Sequence, residues 1–352
     1  MDIKSLLRPE VAALRAYEPE DFSGIRIKLD AMENPYQMPD ALKEELYWAL
    51  SAIEINRYPD PEAVELRAAL SDYLGVPAEN ILLGNGSDEI IGMLVTAFGG
   101  SPGLIAYPTP TFSIYGIVAR AFGQETLELP LDDGFGIDLD ATLSLMRRRK
   151  PKVTFFAYPN NPTGNLFDRE KLLTIIREAP GIVAVDEAYF SFSGDTLINE
   201  INNYPNLVVL RTLSKIGLAG LRVGIMAAGQ DIIREVNKVR LPYNINSLSQ
   251  KAAERVVRHS DIVDAQIGLI TDERARVFEA LSSMPGITAW PSKTNFILLR
   301  VPGASKVHQG LKARGILVRN MDGPGPLRDC LRVTIGTPEE DTEFLAALKE
   351  LI

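Results

Sequence analysis

Through the middle of the chain, short runs rich in Val, Ile, Leu and Ala alternate with longer stretches in which apolar residues recur every three or four positions. The short runs read as strands and the longer stretches as helices. The predicted strands are Ile81 to Leu83, Leu104 to Ala106, Thr126 to Leu129, Val153 to Ala157, Ile182 to Val185, Leu207 to Leu210 and Val223 to Ala227. Predicted helices include Glu62 to Leu74, opened by Pro61, and Asp168 to Glu178, where Asp168 suits the N-cap ahead of Leu172, Leu173, Ile175 and Ile176. Each crossover is long enough for a parallel connection, so the pattern predicts an α/β fold built on one mostly parallel seven-stranded sheet.

After about residue 240 the pattern changes. A charge-laced helical region runs from Ser247 to Ser282, followed by Thr294 to Val301, a helical Ala304 to Arg314, a strand-like Ile316 to Arg319 and Leu331 to Ile335. This reads as a smaller α+β domain over residues 241–352, beside a large domain over 41–240. Residues 1–40, punctuated by Pro9, Pro19, Pro35 and Pro39, read as an extended arm joining a helix and packing with the small domain.

Composition narrows the function. With 352 residues, 46% of them apolar and 24% charged, the chain has the profile of an ordinary folded protein of one large or two modest domains. Its 46 acidic and 37 basic side chains give a net charge of −9, which disfavours nucleic acid and anionic membranes as partners. A lone cysteine, Cys330, and two histidines, His259 and His308, offer neither an internal disulfide nor a metal-ligand cluster. The first twenty residues carry no apolar signal core and no run of 18 apolar residues occurs, so a cytoplasmic location is expected.

Four loops follow predicted strands, at the edge where open α/β sheets bind ligands. In Gly84-Asn85-Gly86-Ser87-Asp88-Glu89 the glycines and the start of a helix suit a phosphate, while Ser87 or Asp88 could equally be an N-cap in a plain turn. The loop Tyr158-Pro159-Asn160-Asn161-Pro162-Thr163-Gly164 is rigid and leaves an amide free to face a ligand. Asp186, in Val185-Asp186-Glu187-Ala188-Tyr189, ends an apolar strand, where an acid is either paired or at the mouth of a site. Lys215, in Thr212-Leu213-Ser214-Lys215, sits among small and apolar residues with Arg222 seven positions on, and a desolvated amine there could form a Schiff base.

Together these loops resemble the fold type I pyridoxal-phosphate enzymes, in particular the aminotransferases, in order and at about the family's spacing, across nearly the whole chain. The resemblance implies a large and a small domain and pyridoxal 5′-phosphate as cofactor. It implies that Lys215 forms the Schiff base and then moves the proton, that Asp186 pairs with the pyridinium nitrogen, and that Tyr189 and Asn161 bond the ring's phenolic oxygen. Gly86, Ser87, Asp88, Ser214 and Arg222 would hold the phosphate, and Phe112 would stack on the ring where many relatives have Tyr. Many relatives also have one more residue between the lysine and the arginine.

The likeness is nearest to the histidinol-phosphate branch, through Leu29 to Tyr36, Arg57-Tyr58-Pro59-Asp60, Gly315 to Arg319 and Leu331 to Gly336. It implies reversible amino transfer between L-histidinol phosphate with 2-oxoglutarate and imidazole acetol phosphate with L-glutamate. Tyr17, Asn34, Arg319 and Arg332 would meet substrate, and Tyr58 would reach the cofactor phosphate of a second subunit, implying a homodimer. An aromatic amino acid aminotransferase, a threonine-phosphate decarboxylase and a non-catalytic cofactor-binding regulator remain open.

Overall fold

The fold is seen in a computed structural model that describes residues 3–14, 16, 20–101 and 103–352. The arm contains a short helix, Pro9–Ala12, and strand β1, Ile27–Leu29. Seven further strands make the large sheet: β2 Ile81–Asn85, β3 Leu104–Thr109, β4 Glu125–Pro130, β5 Val153–Ala157, β6 Ile182–Asp186, β7 Leu207–Thr212 and β8 Val223–Ala228. Their order is β2-β8-β7-β6-β5-β3-β4, and β8 alone runs against its neighbours. A second sheet, in the order β1-β11-β12-β10-β9, joins β1 to β9 Thr288–Ala289, β10 Phe296–Arg300, β11 Ile316–Asn320 and β12 Cys330–Thr334.

All seven predicted strands of the large sheet are present, and six extend past their apolar runs. A polar side chain ends the hydrophobic pattern without ending the ladder: Asp186 still pairs in register with Ala157 on one side and Leu210 on the other. Alternate residues of the central strands enter opposite cores. Ile105, Phe155, Ala184, Val208 and Met226 pack in one core beneath helices Ser87–Phe98, Ile114–Ala121 and Gln230–Asn237. Ala106, Phe156, Val185, Val209 and Ile225 face the other, with helices Val64–Leu74, Leu139–Arg149 and Arg169–Glu178. Asp168 caps the last of these through the Lys171 N–H at 2.9 Å, as its position predicts.

Two expectations need correction, and the arm adds a detail. The helix expected from Glu62 begins at Val64, because the Asp60 carboxylate takes the Glu62 and Val64 N–H groups and holds the entry as a turn. The region from Ser247 to Ser282 is two helices, Ser247–Arg258 and Ser260–Ser282, parted at His259, whose ψ of 42° leaves the helix while its ring bonds Glu45 at 2.9 Å. The extended arm also carries a strand. Its Ile-Lys-Leu run, too short to stand out as a strand, pairs in parallel with β11, Ile27 opposite Ile316.

Period two at the end of β6 sends Asp186 and Glu187 to opposite faces. Glu187 is 1% exposed and is bonded by Arg211 of β7 through Nε at 3.1 Å and Nη2 at 2.9 Å, by the Thr196 hydroxyl at 2.7 Å and by the Leu197 N–H at 2.6 Å. Arg211 in turn stacks over Phe190 at 3.6 Å. The pair clamps β6 to β7 directly behind Asp186. Removing one partner of a buried pair strands the other charge, so Arg211→Met should lower unfolding stability by about 3–5 kcal/mol in urea denaturation. A loss below about 1 kcal/mol would contradict that role.

Candidate active site

The carboxyl ends of β3, β5, β6 and β7 and the turn after β2 open on one cavity of about 170 Å³. Of the residues singled out in the sequence, Ser87, Asp88, Phe112, Asn161, Asp186, Tyr189, Ser214, Lys215 and Arg222 line it. Five separate segments thus deliver an acid, an amine, a phenol, an amide, a guanidinium and an aromatic wall to one place.

Asp186 is 4% exposed. Its Oδ2 accepts the Tyr115 hydroxyl at 2.7 Å and its Oδ1 accepts the Ala188 N–H at 3.1 Å, and among the described residues no cation pairs with it. Burial therefore raises its pKa to about 6, and these two hydrogen bonds oppose the rise. Lys215 lies in a short 3₁₀ turn, Ser214–Ile216, with its Nζ 3.4 Å from the Ala31 carbonyl. Burial, reinforced by Arg332, lowers its pKa to about 8. Arg332 is buried too: Nη1 donates to the Asn161 side-chain oxygen at 2.6 Å, Nη2 donates to the Asp30 carbonyl at 3.0 Å, and Nε has no partner among the described residues. Desolvation lowers even this guanidinium to about 10. Tyr189, buried against the edge of Phe296, is held well above the usual phenol range, chiefly by desolvation.

The turn after β2 makes the polar end of the cavity. Helix Ser87–Phe98 has no side-chain cap; its N-cap is Gly86, so the turn is glycine-built as expected but is capped by neither Ser87 nor Asp88. Gly86 has φ of +81°, a backbone conformation that favours glycine, and a Cβ there would stand 2.5 Å from the Arg222 guanidinium, which would have to move aside. Arg222 reaches this turn from a left-handed backbone (φ 55°) after a 3₁₀ turn, Ala219–Leu221, with Nη1 3.5 Å from the Ser214 hydroxyl and Nη2 3.4 Å from Asp88. The short lysine-to-arginine spacing therefore still delivers the arginine. First-turn amides, a hydroxyl and a guanidinium meet at one point, a composition suited to a phosphate.

Other candidates lie elsewhere. Arg319 stands opposite Arg332 in register, on β11 and β12, and neither lines the cavity itself; Arg332 touches it through Asn161. Asn34 spends its amide on Gln266, at 2.8 Å, and its oxygen on the Tyr36 N–H, at 2.9 Å, behind the lysine loop. Tyr58 is 81% exposed and stacks on Tyr243 at 4.6 Å, away from its own chain's cavity. Tyr17 lies outside the described residues. Sequence reasoning missed Tyr115, whose hydroxyl meets Asp186 from helix Ile114–Ala121, because an aromatic on a helix facing a sheet reads as core. It also missed Ala157 and Ala188, whose small side chains line the cavity and keep it open.

Residues 25–348 match the family model for aminotransferase class I and II. The chain belongs to the class I and II aminotransferases. Among relatives in this family it is 46% identical over 347 residues to histidinol-phosphate aminotransferase 2 of Nitrosococcus oceani, covering 97% of this chain and 96% of that one. It is 41% identical over 349 residues to the histidinol-phosphate aminotransferase of Aquifex aeolicus, covering 99% and 98%. The crystal structure of histidinol-phosphate aminotransferase from Sinorhizobium meliloti in complex with pyridoxal-5′-phosphate superposes with a TM-score of 0.90 at 24% identity, over 99% of this chain and 97% of that one. The class I and II aminotransferases are pyridoxal-phosphate enzymes, and the donor set here fits that group: an uncapped helix start with Arg222 for a phosphate, an unpaired buried carboxylate for a ring nitrogen, and an amine for an aldehyde. No helix among the described residues is long and apolar enough to cross a membrane.

An aminotransferase that keeps Asp186 desolvated does so at a cost to its cofactor-free form. With the folded pKa raised from 3.8 to about 6, burial of the charged form costs nothing below pH 3.8 and its full amount above pH 6. Asp186→Asn should therefore stabilise the cofactor-free chain by about 3 kcal/mol at pH 8, a gain that fades as pH falls from about 6 toward 4. Urea denaturation at the two pH values checks this, and equal effects at both would contradict it.

Proposed function

We propose that the chain transfers an amino group reversibly between L-histidinol phosphate with 2-oxoglutarate and imidazole acetol phosphate with L-glutamate, as a step of histidine biosynthesis. The relatives at 41–46% identity over nearly the full length carry that name. The observation that supports the reading on the structure is the register of Arg319 opposite Arg332 on β11 and β12, with Arg332 buried and without a carboxylate partner among the described residues. A phosphate monoester and a dicarboxylate must share one site, and two neighbouring arginines would suit both.

In this reading the phosphate of pyridoxal phosphate would rest on the backbone of Gly86, Ser87 and Asp88 with Ser214 and Arg222, and Phe112 would cover the ring. Asp186 would accept from the ring nitrogen, and Asn161 and Tyr189 would bond the phenolic oxygen. When bound, the cofactor supplies an electron sink that makes the substrate's C–H bond next to nitrogen acidic. Lys215 Nζ, already lowered to about 8, would take that proton and return it at a second carbon. Desolvation makes each of these electrostatic contacts count for more than it would in water. Arg332, held by Asn161 and the Asp30 carbonyl, would orient an anionic group of each substrate in turn.

A homodimer and a cytoplasmic location belong to the same reading. Support for the dimer comes from the exposure of large apolar side chains along one stretch of chain, Tyr47, Trp48, Ile55 and Tyr58, a concentration that suits an interface.

Initial rates with pyridoxal phosphate and 2-oxoglutarate should give a kcat/KM on L-histidinol phosphate at least ~100-fold above those on L-phenylalanine and L-threonine phosphate. Higher rates on phenylalanine would move the substrate, release of CO2 from threonine phosphate would make the chain a decarboxylase, and no turnover at all would leave a binding protein. Lys215→Ala should abolish transfer in a chain that still folds.

A further inference from the structure

Asp186 makes its contact with Tyr115 on the face away from Glu187, where the end of β6 meets helix Ile114–Ala121. Tyr115 is 0% exposed, its ring lies parallel to Phe155 at 4.8 Å and 3°, and it stands edge-on to Phe112 at 5.5 Å and 87°. Packing of that kind fixes both ring torsions, so the hydroxyl is delivered to one point. Its only hydrogen-bond partner among the described residues is Asp186 Oδ2, at 2.7 Å. That length is ordinary for a well-formed O–H···O hydrogen bond.

We propose that Tyr115 is a positioning residue for the transamination reaction: its hydroxyl fixes the Asp186 carboxylate in orientation and in its ionised form, ready for the N–H of the cofactor's pyridine ring. The inference rests on the pyridoxal-phosphate reading above. Two fixed donors, Tyr115 on Oδ2 and the Ala188 N–H on Oδ1, leave the carboxylate no freedom to turn. Both oxygens keep a lone pair for a further donor, and Asp186 lines the cavity from which that donor would come. The hydroxyl also offsets the burial that drives this acid toward its neutral form. Tyr115 itself touches no reacting atom. It acts through Asp186, and it also braces Phe112, the aromatic wall of the cavity.

The test is the dissociation constant of pyridoxal phosphate, titrated on the full chain between pH 5 and 9, for the wild type, Tyr115→Phe, Asp186→Asn and the double variant. The phenylalanine keeps the ring, its stack and its edge contact, and an unchanged circular-dichroism spectrum of the cofactor-free chain would show that the fold is intact even though loss of the hydroxyl lowers its stability somewhat. The cofactor's own titrations are common to all four proteins. Tyr115→Phe should weaken binding about tenfold at pH 7 and move the acid limb of the profile up by about one pH unit. On the Asp186→Asn background the same change should weaken binding less than about twofold, because the residue through which it acts is no longer charged. A Tyr115→Phe profile that overlays the wild type, or a loss as large on the Asp186→Asn background as on the wild-type one, would overturn the proposal. Asp186→Asn binding as tightly as the wild type would instead remove the role given to Asp186, and the proposal with it.

Discussion

Desolvation of charge at the carboxyl edge of the large sheet is the constraint on which the rest of this structure turns. Asp186, Lys215 and Arg332 are buried near one another, and none forms an ion pair with another. Each is held by neutral groups: Tyr115 and a backbone N–H for the acid, a carbonyl for the amine, an amide oxygen and a carbonyl for the guanidinium. Neutral partners fix position without cancelling charge, so the acid, the amine and the guanidinium all remain available to a ligand. The same burial shifts all three away from their ordinary pKa values and stores a cost that a bound ligand can relieve.

Such a site needs a rigid frame, and the sheet supplies it. Asp186 remains in the β ladder between Ala157 and Leu210, so its backbone cannot retreat from the cavity. Behind it, the Glu187 and Arg211 pair is compensated where Asp186 is not. Two adjacent acids in one strand thus have opposite fates, set by strand periodicity. The second sheet brings Arg332 to Asn161 and ties the arm to the site region through the Asn295 amide on the Met32 carbonyl, at 3.0 Å, and the Met32 N–H on the Thr334 hydroxyl, at 3.0 Å.

Much of this was legible in the chain. Apolar runs locate the seven strands because strands covered on both faces are apolar throughout, and the four loops after them hold eight of the nine singled-out residues that line the cavity, Phe112 being the ninth. What escaped was set by tertiary context. Tyr115 reads as core by spacing, and only the approach of helix Ile114–Ala121 to β6 turns its hydroxyl into a partner for Asp186. β1 is three residues long and exists through its pairing with β11. The true start of helix Val64–Leu74 depends on how Asp60 folds back on the turn, which periodicity does not encode. Asn34 and Tyr58 stand in motifs of the expected kind, yet their side chains face away from the cavity of their own chain.

The most direct test of the desolvated site is the pH dependence of Lys215 reactivity in the cofactor-free chain, read by mass spectrometry after brief exposure to an amine-specific reagent. Half-maximal reactivity near pH 8 is the result expected of an amine stripped of water beside Arg332. A midpoint near that of an exposed lysine, about 10.4, would mean that the cavity is wet and would contradict the account.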